Sequence, residues 1–140
     1  MSRRLTRAFL PALLVLSTIV IGAPASAAAS PTIEFQVVEA RTELRPSGLV
    51  AVGVRARCSP TLDAFEVNVG VRQPNAQGSV TRIGERYPIC NGAWHRNTFF
   101  VRPSSGAFHH GVATVDIYLG AYDTVNDHDV EATDTSRVRL

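Results

Sequence analysis

Aromatic and arginine side chains alternate in one short segment, WHRNTFFVR, at positions 94–102. In an extended strand, successive side chains point to opposite faces of the sheet. If Phe99 and Val101 point into a core, the even-numbered residues of the segment share the outer face. These are Trp94, Arg96, Thr98, Phe100 and Arg102. Tryptophan and arginine are enriched at interface hot spots, so the segment predicts a binding surface. The alternative is that its aromatic rings are core residues or merely cover an open sheet.

Two further arginines lie in the strand predicted for residues 50–58. Valines at its even positions alternate with Arg55 and Arg57 at odd ones, so the arginines face away from the core. In an immunoglobulin-like fold this strand B is the antiparallel neighbour of strand E, the segment that holds Trp94. Arg55 and Arg57 are therefore expected to flank the predicted binding surface.

The two cysteines, Cys58 and Cys90, are predicted to form a disulfide. Two thiols in an exported chain most often pair with each other. The sequence has no C-x-x-C motif and no clustered histidines beside the cysteines, which speaks against a redox-active dithiol or a zinc site. The bond would close a loop of about 33 residues and join the end of strand B to the start of strand E.

Acidic residues concentrate between positions 123 and 134. Carboxylate oxygens are the ligands that Ca²⁺ prefers, and Asp123, Asp127 and Asp129 are the candidate ligands here. The spacing differs from that of an EF-hand loop and lacks its glycine. The segment therefore predicts either a cation site or a solvated loop between the last two strands.

No catalytic motif is evident in the sequence. The serines lie in turn contexts without G-x-S-x-G, and the adjacent His109 and His110 would point in divergent directions. We therefore predict that the protein is not an enzyme and requires no cofactor. A pair of catalytic carboxylates would leave no signature in spacing, so a secreted hydrolase is kept as an alternative.

The first 27 residues have the pattern of a signal peptide. Three arginines within the first seven residues precede an apolar run, Ala8–Gly22, and the small residues Ala25–Ala27 follow. We predict cleavage after Ala27, a secreted domain at 28–140 and no stable membrane anchor after cleavage. Residues 28–140 hold eleven arginines and twelve acids, so the basic surplus belongs to the leader and nucleic-acid binding is not expected.

The region 28–140 is predicted to be a single all-β domain. Short segments of alternating hydrophobicity are separated by proline and glycine turns. In one of them Phe65 shares its parity with Val67, Val69 and Val71. Seven strands are expected, near 33–37, 50–58, 64–72, 79–87, 94–102, 111–119 and 132–140. This pattern favours an antiparallel immunoglobulin-like β-sandwich.

The segments Ile33–Val38, Val50–Cys58 and Cys90–Val101 resemble a family of small secreted actinobacterial proteins of unknown function. The resemblance covers most of the mature chain and implies an immunoglobulin-like sandwich without implying a chemistry. In size and expected architecture the chain also resembles neocarzinostatin-type chromoproteins, which are secreted sandwiches that carry a small molecule in a cleft; those proteins have two disulfides, whereas the two cysteines here allow one. We thus expect an extracellular module that binds an unknown protein or cell-surface ligand; a carrier of an apolar small molecule is the alternative.

Overall fold

The computed structural model describes residues 30–84 and 87–140, and the predicted signal peptide lies outside these ranges. Within them the chain forms eight strands and one 3₁₀ turn, Glu39–Arg41. The strands are β1 (Ile33–Val37), β2 (Glu43–Leu44), β3 (Val50–Cys58), β4 (Leu62–Gln73), β5 (Ala76–Ile83), β6 (His95–Val101), β7 (Val112–Asp123) and β8 (His128–Arg139). None of the helical structure in the described ranges has the length and apolarity needed to cross a membrane.

The strands form two antiparallel sheets. In the first, β3 is central: β1 and β2 pair with one of its edges and β6 pairs with the other. In the second, the order is β5-β4-β7-β8. The all-β prediction is therefore confirmed, and so is the pairing of the strand at 50–58 with the strand that follows Trp94.

The inner faces of the two sheets share one core, in a sandwich-like arrangement. Val52 and Phe99 from the first sheet, and Val69 and Ile117 from the second, belong to the same cluster and are at most 2% exposed. Each such side chain contributes about 1.5–3 kcal/mol when removed from water. Because side chains alternate along a strand, the neighbours of these residues are directed outward.

Tyr87 is hydrogen-bonded to both β3 and β6 beside the core. Its ring packs edge-on against Phe99, with 5.6 Å between ring centroids. Its hydroxyl lies 3.1 Å from the carbonyl oxygen of Val54 and 3.3 Å from that of His95. Burial raises the pKa of Tyr87 to about 12, so the hydroxyl stays protonated and able to donate at neutral pH.

The predicted Cys58–Cys90 disulfide is present. It joins the last residue of β3 to the segment that leads into β6, and the amide of Gly92 donates to the carbonyl of Cys58 at 3.0 Å. The chain is thus held beside β3 just before Trp94.

Several predicted strand boundaries, the predicted number of strands and one side-chain orientation are wrong. β7 continues to Asp123, beyond the end predicted at Leu119, and the two-residue strand β2 makes eight strands in the described ranges where seven are expected. β5 begins at Ala76, because Pro74 and Asn75 form a tight turn where a longer loop is expected. β8 begins at His128, so most of the acidic segment is strand. The strand accommodates the acidic residues because alternate side chains along it are exposed to solvent. Phe65 does not share a face with Val67: the register shifts between Ala64 and Glu66, and the ring is 38% exposed.

Candidate functional site

The outer side of the first sheet carries the residues predicted as a binding surface, which we call the arginine face. Its members are Arg55, Arg57, Trp94, Arg96, Phe100 and Arg102. Phe99 and Val101 are fully buried, whereas Trp94 is 39% and Phe100 51% exposed. Arg55 on β3 lies directly opposite Arg96 on β6, and Ala51 lies opposite Phe100.

Trp94 is the centre of the most compact part of this face. The guanidinium carbons of Arg55 and Arg57 lie 4.8 and 5.0 Å from the centroid of its ring. Such cation–π contacts contribute about 0.5–1 kcal/mol each at exposed sites. The two arginines therefore hold the indole while more than a third of its surface stays accessible.

Strand β1 fixes the two stacked arginines from the other side. Nη2 of Arg57 donates to both carboxylate oxygens of Glu34, at 2.7 and 2.8 Å. Nε of Arg55 donates to Oε1 of Gln36. An exposed ion pair of this kind adds at most about 1 kcal/mol to stability, so its main effect is to set the orientation of the guanidinium groups.

The other members of the arginine face are less closely associated. Arg96 and Arg102 are exposed, and neither has an ion-pair partner among residues 30–84 and 87–140. They are six positions apart, which corresponds to about 20 Å along a strand. The structure thus brings Arg55, Arg57, Trp94 and Arg96 together and leaves Phe100 and Arg102 farther along β6.

Two clefts border the arginine face. One, of about 420 Å³, lies between the segment 36–40 and the side chains of Arg55 and Arg96. The other, of about 440 Å³, lies between the turn at Ser47–Leu49 and the loop that contains Arg102 and Phe108. Each therefore places arginine beside a depression that an extended ligand could enter.

Two of the three predicted cation ligands, Asp123 and Asp127, are hydrogen-bonded within the protein. Asp123 is fully buried, and its Oδ1 accepts from the amides of Val125 and Asn126 at 3.0 and 3.3 Å, while its Oδ2 accepts from Nδ2 of Asn126 at 2.6 Å. Asp127 accepts the hydroxyl of Tyr122. In the described part of the chain, no group of three or more His, Cys, Asp or Glu side chains is arranged to hold a metal ion. Asp123 instead organises the turn between β7 and β8.

Replacing Asp123 by alanine is expected to lower the melting temperature by several degrees. The hydrogen bonds, first that from the Asn126 side chain, hold the pKa of Asp123 below its ordinary value of 3.8. A carboxylate with a lowered pKa stabilises the fold above its unfolded-state pKa and loses this effect as the pH falls through the folded-state pKa. Thermal unfolding of both proteins between pH 7 and pH 3 should therefore show a difference that shrinks in acid.

The matched control is Asp129→Ala, because Asp129 is exposed on β8 and has no hydrogen bond of the kind that Asp123 makes to the turn. It should leave the melting temperature nearly unchanged. Equal losses in the two variants would contradict the assigned role of Asp123.

A second aromatic surface, absent from the sequence prediction, lies on the outer side of the second sheet. We call it the acidic face; its members are Phe65, Tyr118, Tyr122, Asp63, Glu66, Asp127, Asp129 and Glu131. The bulge in β4 turns both Phe65 and Glu66 outward. The Phe65 ring lies over Gly120, where an added Cβ would come within 2.9 Å of two ring atoms.

The two tyrosines of the acidic face respond to the surrounding carboxylates. The pKa of Tyr118 is raised by partial burial and by Glu131, whose Oε1 accepts its hydroxyl at 3.1 Å. The pKa of Tyr122 is raised by its hydrogen bond to Asp127, by partial burial and by Asp129. Burial and the hydrogen bonds to carboxylates are the largest causes of the raised pKa values, and the negative charge of nearby carboxylates adds to them. The sequence showed the acidic segment itself. It did not show that this segment lies near Phe65, because that proximity depends on contacts between residues distant along the chain.

Comparisons with known proteins assign no family. No protein-family model matches the sequence, and a comparison with curated proteins finds no significant relative. The geometry of the two faces is therefore the basis for proposing a function.

Proposed function

We propose that this chain is a secreted, non-catalytic binding module whose arginine face recognises an anionic partner outside the cell. The observation that carries the proposal is the arrangement around Trp94, where an accessible indole lies against two oriented guanidinium groups, with Arg96 unpaired beside them among the described residues. Exposed tryptophan and arginine at one site are enriched where proteins bind partners.

The chemistry of arginine favours a carboxylate- or phosphate-bearing ligand. Its planar guanidinium presents five N–H donors and binds such groups in bidentate fashion. In Arg57 one terminal nitrogen bonds Glu34, which leaves the other donors for a ligand. Because Glu34 and Gln36 already orient Arg57 and Arg55, less side-chain entropy would be lost on binding.

Strand order supports the finer assignment of an immunoglobulin-like topology. In such folds strand B pairs with strand E, as β3 pairs with β6, and strand F lies between C and G, as β7 lies between β4 and β8. The disulfide is compatible with an oxidising compartment and so supports secretion. We also propose that the chain belongs to the family of small secreted actinobacterial proteins that it resembles.

The test uses Trp94, the only tryptophan of the chain, as its own reporter. Iodide should quench its fluorescence, and titration with poly-L-glutamate at low salt should protect it. We expect Arg96→Ala to weaken this binding by about fivefold, the equivalent of roughly 1 kcal/mol. Added salt should weaken binding in the wild-type protein, because exposed charges are screened.

The control is Arg137→Ala. Arg137 is an exposed residue of β8 in the second sheet, at the end of the molecule opposite Trp94. It should bind as the wild-type protein does. A blue-shifted emission that iodide does not quench would place Trp94 in the core and refute the proposal. Equal weakening by both substitutions would also refute it, since binding would then follow net charge and not the arginine face.

A further inference from the structure

The part of the arginine face around Trp94 and the acidic face lie at the same end of the molecule, on opposite sides. β3 ends at Cys58 and β4 begins at Leu62, so Arg57 and Phe65 are both close to this end. Trp94 lies there on the first sheet because Cys90 is bonded to Cys58, and Tyr122 lies there on the second because Leu62 pairs with Asp123. Since the two inner faces share one core, the two outer faces are directed away from each other.

We propose that the acidic face binds the arginine face of a second copy of this chain, so that copies associate front to back. The inference rests on the proposed function in one respect, namely that the arginine face is a binding surface. It goes further by naming a partner and by assigning a role to a surface on the other sheet.

The charges of the two faces are complementary. The acidic face holds Asp63, Glu66, Asp127, Asp129 and Glu131, and none of them has an ion pair within residues 30–84 and 87–140. Around Trp94 the arginine face holds Arg55, Arg57 and Arg96, of which Arg57 is paired with Glu34. Residues 28–140 as a whole carry eleven arginines and twelve acids, so net repulsion between copies is small.

The aromatic side chains of the two faces are also suited to each other. Trp94 and Phe65 are 39% and 38% exposed, and Tyr122 is 37% exposed. Contact between the faces would remove these rings from water and would bring arginine guanidinium groups close to tyrosine and phenylalanine rings. Gly120 helps keep the acidic face flat, because the Phe65 ring lies over it in the space that a side chain would fill.

This geometry predicts open chains of molecules and not a closed dimer. A twofold dimer brings identical patches together, whereas these two patches differ and are directed oppositely. Contact between different patches leaves one free face at each end of the assembly, so further copies can add. Exposed charges supply much of the attraction between the two faces, so association should be weak, dependent on concentration and sensitive to salt.

The experiment compares two charge-neutralised variants by sedimentation velocity at low and high salt. One variant, Glu66→Gln with Asp129→Asn, impairs the acidic face, and the other, Arg55→Gln with Arg96→Gln, impairs the arginine face. We expect the wild-type sedimentation coefficient to rise with protein concentration at low salt and to stay at the monomer value at high salt. Each variant alone should remain monomeric at low salt.

The decisive sample is an equal mixture of the two variants. Each retains the face that the other lacks, so the mixture should form a one-to-one dimer that does not grow further. Arg137→Gln with Arg139→Gln makes the same change in net charge as the arginine-face variant at exposed residues outside both faces, and this control should associate like the wild-type protein.

Several results would overturn the inference. Among them are a wild-type protein that stays monomeric at low salt, variants that associate as the wild type does, and a mixture that forms no dimer. Poly-L-glutamate binding separates the two proposals. A monomeric protein whose Arg96 still governs that binding would overturn front-to-back association while leaving the proposed function in place; loss of both properties would overturn both.

Discussion

Replacing Cys58 and Cys90 together by alanine is expected to lower the free energy of unfolding by about 2–5 kcal/mol. The two residues are 32 positions apart, and their bond closes a loop that contains β4 and β5. Cross-linking such a loop restricts the unfolded chain by about 3–4 kcal/mol in the chain-entropy description. In a domain of this size that is a large share of the net stability.

Urea titrations of the wild-type and the double variant measure this change directly. Replacing both cysteines avoids a free thiol that could form bonds between molecules. The wild-type protein unfolded under reducing conditions is the control, and it should match the variant to within about 1 kcal/mol. A loss below about 1 kcal/mol would show that the loop is constrained without the bond.

Replacing Gly106 by alanine is expected to cost about 2–4 kcal/mol, from backbone strain and overpacking together. Gly106 has a φ of +66°, and a Cβ built on it would lie 1.9 Å from the carbonyl oxygen of Asn75. The contacted atom is backbone in the turn between β4 and β5, so a side-chain rotation would not relieve the clash. The loop would have to move away from that turn.

The movement would break identifiable contacts. The amide of Gln77 donates to the carbonyl of Ser105 at 3.1 Å, and Gln73 bonds both the amide and the carbonyl of His109. Thermal unfolding and amide exchange at Gln77 would report the loss.

Gly48→Ala is the matched control for this prediction. Gly48 has a similar φ of +79°, but an added Cβ would meet nothing within 4 Å. It should therefore cost only the backbone strain, about 1 kcal/mol. Equal losses at both positions would show that the contact with Asn75 adds nothing.

Local alternation in the sequence was sufficient to predict the faces of β3 and β6. Val52 and Val54 are buried and Arg55 and Arg57 are directed outward, as their parity requires. The same rule separated buried Phe99 from exposed Phe100. The disulfide was predictable from the number of cysteines and from the predicted signal peptide, since two thiols in an exported chain most often pair with each other. In each case the deciding information lies within a few residues or in the composition.

The tertiary structure alone decided the acidic face. Parity placed Phe65 in the core, but a bulge opposite Gly120 turned it outward, and a bulge depends on the register between β4 and β7. The carboxylates beside it come from β4 and β8, which are distant in sequence and become neighbours only because each flanks β7. Asp123 was expected from the sequence to lie in a loop after the strand. In the structure it is the buried last residue of β7, because that strand continues further than the alternation indicated. Pairing register between distant strands leaves no local pattern, so only the folded chain reveals it.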